Sequence, residues 1–195
     1  MAEFEKIWSV GHSNHSIERF IEILNESGIA SIVDLRSQPY SRYTGHFNQI
    51  PLQRALETAG IKYTFLGNEL GGRPTDKMMY DTVGHVLYGE MAKSQLFNEG
   101  LEQLIAISGQ SPTAMMCSEE DPTDCHRRLL VTRVLEELPI PVMHIRGDAS
   151  IITEQDLAGQ IEDKNPPQLF DEEEKPWRSV RSVLQSTPPN NSSNH

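Results

Sequence analysis

Cysteine is scarce in this 195-residue chain, which has only Cys117 and Cys125. A small secreted domain stapled by disulfides carries more of them at regular spacing, so both are read as free thiols in a reducing compartment. Long apolar runs are missing too. None approaches the roughly 20 residues of a membrane-spanning helix, and no membrane association is expected. Basic charge is in deficit: 17 Lys and Arg stand against 28 Asp and Glu, a net charge of −11. The residues before Glu154 are acidic on their own as well. Binding to nucleic acid by phosphate neutralisation wants the opposite balance. Nucleic acid is therefore a disfavoured partner, and an anion site must take the form of a local basic pocket. Residues 1–6 hold Glu3 and Glu5 where a secretory signal has basic residues, and no long apolar stretch follows. The expected compartment is the cytoplasm.

What is present fits one domain with a proper core, because a chain of this length is not comfortably divided in two. Residues 7–10 read as a short buried strand. Ser16 then caps a helix whose Ile17, Phe20, Ile21 and Leu24 share one face. Residues 29–35 form a second strand. Pro51 opens a helix with Leu52, Ala55, Leu56 and Ala59 in line, and residues 61–66 form a third strand. Residues 78–94 read as partly helical. Phe97, Leu101, Leu104 and Ile105 mark the next helix, residues 113–117 a fourth strand, Leu130, Val134 and Leu138 another helix, and residues 141–145 a fifth strand. Strands alternating with helices predict a three-layer α/β fold. About five mostly parallel strands carry helices on both faces, in the Rossmann-like manner. The body is expected over residues 1–153. Residues 154–195, acidic and then rich in Pro, Asn and Ser, read as a mostly disordered tail. Within it Trp177, Val180 and Leu184 are the candidates for docking on the body or on a protein partner.

Open parallel sheets bind ligands beyond the carboxyl ends of their strands, and the unusual polar residues of this chain fall there. The first strand leads to His12, the second to Asp34 and Arg36, and the third to Asn68 and Glu69. The fourth leads to Cys117 and Glu119, and the fifth to Arg146 and Asp148. A polar loop adds Ser41, Arg42, Tyr43 and His46. His12 suits proton transfer. Arg36 suits a bidentate grip on phosphate or carboxylate, or an ion pair with Asp34 that holds the loop.

The densest segment is Cys117-Ser118-Glu119-Glu120-Asp121-Pro122-Thr123-Asp124-Cys125-His126-Arg127-Arg128. Asp121 and Pro122 look like a helix cap and first helical residue, which puts Cys125 in the first turn. A helix N-terminus and a nearby arginine lower a thiol pKa, so Cys125 is the expected nucleophile or redox thiol. Its neighbour His126 should point away from it on a helix. Cys117 ends an apolar run and reads as core. Cys117, Cys125, His126 and His12 would make four zinc ligands, but the spacing matches no finger pattern. No metal or cofactor is expected.

Several of these segments together resemble a known family. They are Val10-Gly11-His12-Ser13-Asn14, the run from Val33-Asp34-Leu35-Arg36 to Pro39-Tyr40-Ser41, His46-Phe47-Asn48, Gly60-Ile61-Lys62-Tyr63, Leu70-Gly71-Gly72-Arg73, and above all Cys117 to Pro122 with Cys125-His126-Arg127. The chain is similar to the family catalogued as domain of unknown function 488, from about Ile7 to Ile145. Ser118 departs from it, standing where the family usually has Ala. The resemblance implies an α/β fold and an enzyme without an established reaction; members are sometimes labelled DNA-repair-like.

The resulting expectation is an enzyme for a small anionic or nucleotide-like substrate. His12, Glu119 and Cys125 are its candidate catalytic residues, and Asp34, Arg36, Ser41, His126 and Arg127 its candidate substrate-binding residues. A carboxylate near arginines stays ionised, so Glu119 suits a base. The alternatives are a nucleic-acid-processing enzyme that takes a base into the same pocket and a non-catalytic module that binds a ligand or docks a partner.

Overall fold

The segments 31–34 and 113–117 become strands buried along their whole length, as strands covered by helices on both faces must be. The computed structural model describes residues 6–164 and 176–183. Its elements, in chain order, are β1 (Ile7–Gly11), α1 (Ile17–Glu26), β2 (Ser31–Asp34), α2 (Gln49–Thr58), β3 (Lys62–Phe65), α3 (Tyr88–Met91), α4 (Gln95–Ser108), β4 (Thr113–Cys117), α5 (Arg133–Glu137), β5 (Val142–Ile145), β6 (Ile151–Thr153) and α6 (Glu154–Lys164). The sheet runs β3-β2-β4-β1-β5-β6. All neighbours are parallel except β5 and β6.

Two apolar clusters lie on opposite faces of this sheet. One joins Ile32, Ala114 and Met116 to Phe20, Leu24, Leu52 and Leu56 of α1 and α2. The other joins Val33 and Met115 to Phe97, Leu101 and Leu104 of α4 and to Leu130, Val131 and Leu135. Alternate residues of each strand feed alternate faces. The expected three-layer α/β architecture is therefore present, with one strand more than five. Helix α1 keeps its Ser16 cap, whose Oγ accepts from Arg19 N at 3.2 Å. No helix among the described residues is long and apolar enough to cross a membrane.

The chain leaves β1 toward one sheet edge and leaves β4 toward the other. Adjacent strands whose connections diverge open a crevice at their carboxyl ends. The sheet order thus sets Cys117, at the end of β4, between the ends of β1 and β2.

The body reaches further than residue 153. α6 starts where the tail was expected, and its first residue holds it down. Glu154 takes Arg128 Nη2 at 2.6 Å and His144 Nε2 at 2.7 Å. Ser9 Oγ lies 2.7 Å from the other nitrogen of that buried histidine. Trp177 also docks on the body. Its Nε1 donates to Leu129 O at 2.7 Å, and Arg133 lies over its ring at 4.3 Å. Ser179 N donates to Val86 O and Val183 N to Gly84 O, both at 2.9 Å. The expected disorder of residues 165–175 and 184–195, and the docking role considered for Leu184, lie outside the described residues.

Candidate functional site

Asp34 ends β2 fully buried and grips Arg36 with both oxygens. Nε donates to Oδ1 at 2.9 Å and Nη2 to Oδ2 at 2.7 Å. The same carboxylate takes Arg36 N at 3.0 Å and Tyr63 OH at 2.8 Å. Arg36 Nη1 donates to His12 Nε2 at 3.1 Å, and His12 Nδ1 donates to Ser13 O at 2.8 Å. Both ring nitrogens of His12 are thereby used, and Phe47 stacks on the ring at 4.2 Å. Burial, and then the Arg36 charge, lower the His12 pKa to about 4. His12 is a neutral acceptor that orients Arg36, and the expected proton-transfer role does not suit its place. Three of the five N–H groups of a guanidinium are thus committed to Asp34 and His12, and Tyr63 lies against the same guanidinium.

The segment after β4 departs from the expected cap. Asp121 accepts from Thr123 N at 2.9 Å in a local turn. The helix starts at His126 and passes at once into a π-helical turn, Arg127–Thr132, that runs on into α5. Such wide turns recur at functional sites. Cys125 therefore precedes the helix, and its carbonyl accepts from Arg128 and Leu129 N at 3.0 Å. With Cys125 outside the helix and His126 at its first residue, the two side chains approach the same point. His126 Nδ1 lies 3.8 Å from Cys117 Sγ and 3.8 Å from Cys125 Sγ. His126 Nε2 donates to Leu35 O at 3.2 Å. Gly72 makes room for the ring, since a Cβ there would lie 2.7 Å from His126 Cγ.

The two thiols titrate as a pair. The hydrogen bond from Cys125 holds Cys117 well below an ordinary thiol. Burial, followed by the same bond, pushes Cys125 up. Burial lowers the His126 pKa most, but the Cys117 charge and the hydrogen bonds to Cys117 and Leu35 together outweigh it, and the net direction is upward. The pair thus favours a single thiolate, held by the hydrogen bond between the two sulfurs.

Arg127 is fully buried and is no substrate clamp. Nη1 donates to Glu119 O and to Cys125 Sγ at 3.6 Å, and Nη2 donates to Glu120 O at 2.6 Å. The guanidinium folds the loop and places positive charge beside the thiols. At Gly11 a Cβ would fall 1.7 Å from Glu119 O, so β1 approaches this loop only with glycine.

A cavity of about 740 Å³ opens over the cluster. Cys117, His126, Arg36 and Glu119 line it, together with Arg73 and Tyr40. Of the expected residues, His12, Asp34, Cys125 and Arg127 stand behind this lining. Glu119 is exposed, and its carboxylate makes no hydrogen bond among the described residues. Ser41 lies outside the cavity; its Oγ accepts from Tyr43 and Thr44 N and shapes the loop. Arg146 is committed to Glu120 at 2.8 Å and borders a separate cavity.

Sequence reasoning passed over Arg73, whose only signal was its place after Gly71-Gly72. Of residues 179–183, which form one wall, it singled out only Val180, as a docking candidate.

A family profile described as Domain of unknown function DUF488 matches residues 16–134, more than half of the chain. The chain belongs to this family. The DUF488 match takes in β2, the Gly72 loop, both cysteines, His126 and Arg127. Gly11, His12 and β5 lie outside it, although the residues themselves resemble the family there. No curated protein and no solved structure matches the chain.

Proposed function

We propose that this DUF488 protein is an enzyme for a small anionic or nucleotide-like substrate, working in the cytoplasm. The observation that carries the reading is the cavity of about 740 Å³ at the carboxyl ends of β2 and β4, lined by Arg36, Arg73 and Arg181 above a thiol–imidazole cluster. Its size suits a nucleotide-sized ligand. Arg36, held in place by Asp34 and His12, brings its fixed charge to this lining. Arg73 is exposed and makes no side-chain hydrogen bond among the described residues, so its fork is free for phosphate or carboxylate. Glu119 is the candidate base and Cys117 the thiol that meets the substrate.

Calorimetric titration with inorganic phosphate and the nucleoside 5′-monophosphates tests this reading. One of these ligands should bind at one site per chain, and Arg73→Ala should weaken it by roughly 10- to 100-fold, the worth of a charge-assisted hydrogen bond. Absence of binding by every ligand, or equal binding by Arg73→Ala, contradicts it. One observation favours the nucleic-acid alternative. Tyr40, on the cavity lining, is 76% exposed and Tyr43 is 89% exposed, and such aromatics stack on unpaired bases. Salt-dependent binding of a single-stranded oligonucleotide distinguishes it.

A further inference from the structure

We propose that Cys117, Cys125 and His126 form a binding site for one thiolate-preferring divalent metal ion of the zinc class, with its remaining position open to the cavity. The three donor atoms lie within 4.8 Å of one another, and they are the only group of this kind among the described residues. A tetrahedral ion with zinc-like bonds separates a sulfur and a nitrogen ligand by about 3.6 Å. The two sulfur–nitrogen separations here are both 3.8 Å.

The surroundings suit an ion as well as the distances do. His126 gives its Nε2 proton to Leu35 O, which aims the Nδ1 lone pair at the sulfurs. Metal-bound histidines are regularly held this way by a carbonyl or carboxylate. The Arg127 guanidinium, 3.6 Å from Cys125 Sγ, favours the thiolate that a metal requires. The ligands sit on firm supports: the end of β4, the residue just before the helix, and a ring packed against Gly72. Cys125 is 1% exposed and closes the back of the site, while Cys117 and His126 border the cavity. Two cysteines and one histidine with an open fourth position are a donor set of catalytic zinc. His12 is not the fourth ligand, since Arg36 and Ser13 use both of its nitrogens. Local sequence spacing hid the site. Cys125 and His126 are adjacent, and they converge with Cys125 lying outside the helix that His126 begins.

The site stands independently of the anionic-substrate reading. Full-length protein, stripped with a chelator and kept reduced and anaerobic, is titrated with cobalt(II). One equivalent should bind, with tetrahedral visible bands and a thiolate-to-cobalt charge-transfer band of two-thiolate intensity, and one equivalent of zinc should displace it. Cys117→Ser, Cys125→Ser and His126→Ala should each weaken binding by roughly a hundredfold or more, beyond the 10- to 100-fold of lost supporting contacts. If the variants fail to fold, the wild-type spectrum decides. Binding without the charge-transfer band, binding unchanged in the variants, or no stoichiometric binding overturns the proposal. Phosphate binding by the same stripped protein is read separately, so a chain that binds phosphate but not cobalt refutes the metal site alone.

Discussion

Replacing Asp34 by Ala should destabilise the protein by about 3–5 kcal/mol, the usual cost of leaving one partner of a buried ion pair uncompensated. Asp34 is fully buried and Arg36 is 5% exposed, so water is a poor replacement for the lost carboxylate. Tyr63 OH and Arg36 N lose their acceptor in the same step. The charge is the cause, and a second variant separates it from packing. Asp34→Ala with Arg36→Met removes both charges and should recover much of the loss. Urea denaturation followed by circular dichroism measures both. A change below about 1 kcal/mol in Asp34→Ala, the range of a surface pair, would mean that Arg36 is not held as described.

The second large effect belongs to Arg127→Met. The guanidinium serves the carbonyls of Glu119 and Glu120 from inside the protein. Methionine fills much of the volume but strands both acceptors, each worth about 1–3 kcal/mol when buried without a partner. A loss of about 2–6 kcal/mol is expected. Hydrogen exchange should rise first in residues 118–125, because those carbonyls fix the loop. Full stability with unchanged exchange there would instead make Arg127 a spare charge beside the thiols.

Most of the fold was legible because each strand and helix carried its own period. β4 was read to the residue, and Ser16 caps α1 as expected. β6 escaped because it is three residues long and pairs antiparallel to β5, after a turn with Ala149 at φ 69°. α6 escaped because Leu157 is its only buried residue. What holds it, the grip of Arg128 and His144 on Glu154, joins residues far apart in sequence.

The site was legible as a list of residue types and not as a set of roles. Asp34 and Arg36 are two apart, so their pairing could be anticipated; the seat of Arg36 against His12, 24 residues away, could not. Cys125 was favoured because Asp121 and Pro122 imitate a helix start. The turn at Thr123 delays the helix and turns Cys125 into the buried partner of Cys117. Arg127 looked like a ligand clamp because sequence does not display burial.

The most direct test of this account is the alkylation of stripped, reduced protein by iodoacetamide, with the modified cysteine located by mass spectrometry. Cys117 borders the cavity and Cys125 does not, so Cys117 should react first. Saturating phosphate or nucleoside monophosphate should slow that reaction roughly tenfold or more, since a ligand held by Arg36 and Arg73 covers the thiol. Labelling of Cys125 first, or a Cys117 rate indifferent to every anion, would contradict the claim that an anion site lies over the thiol–imidazole cluster.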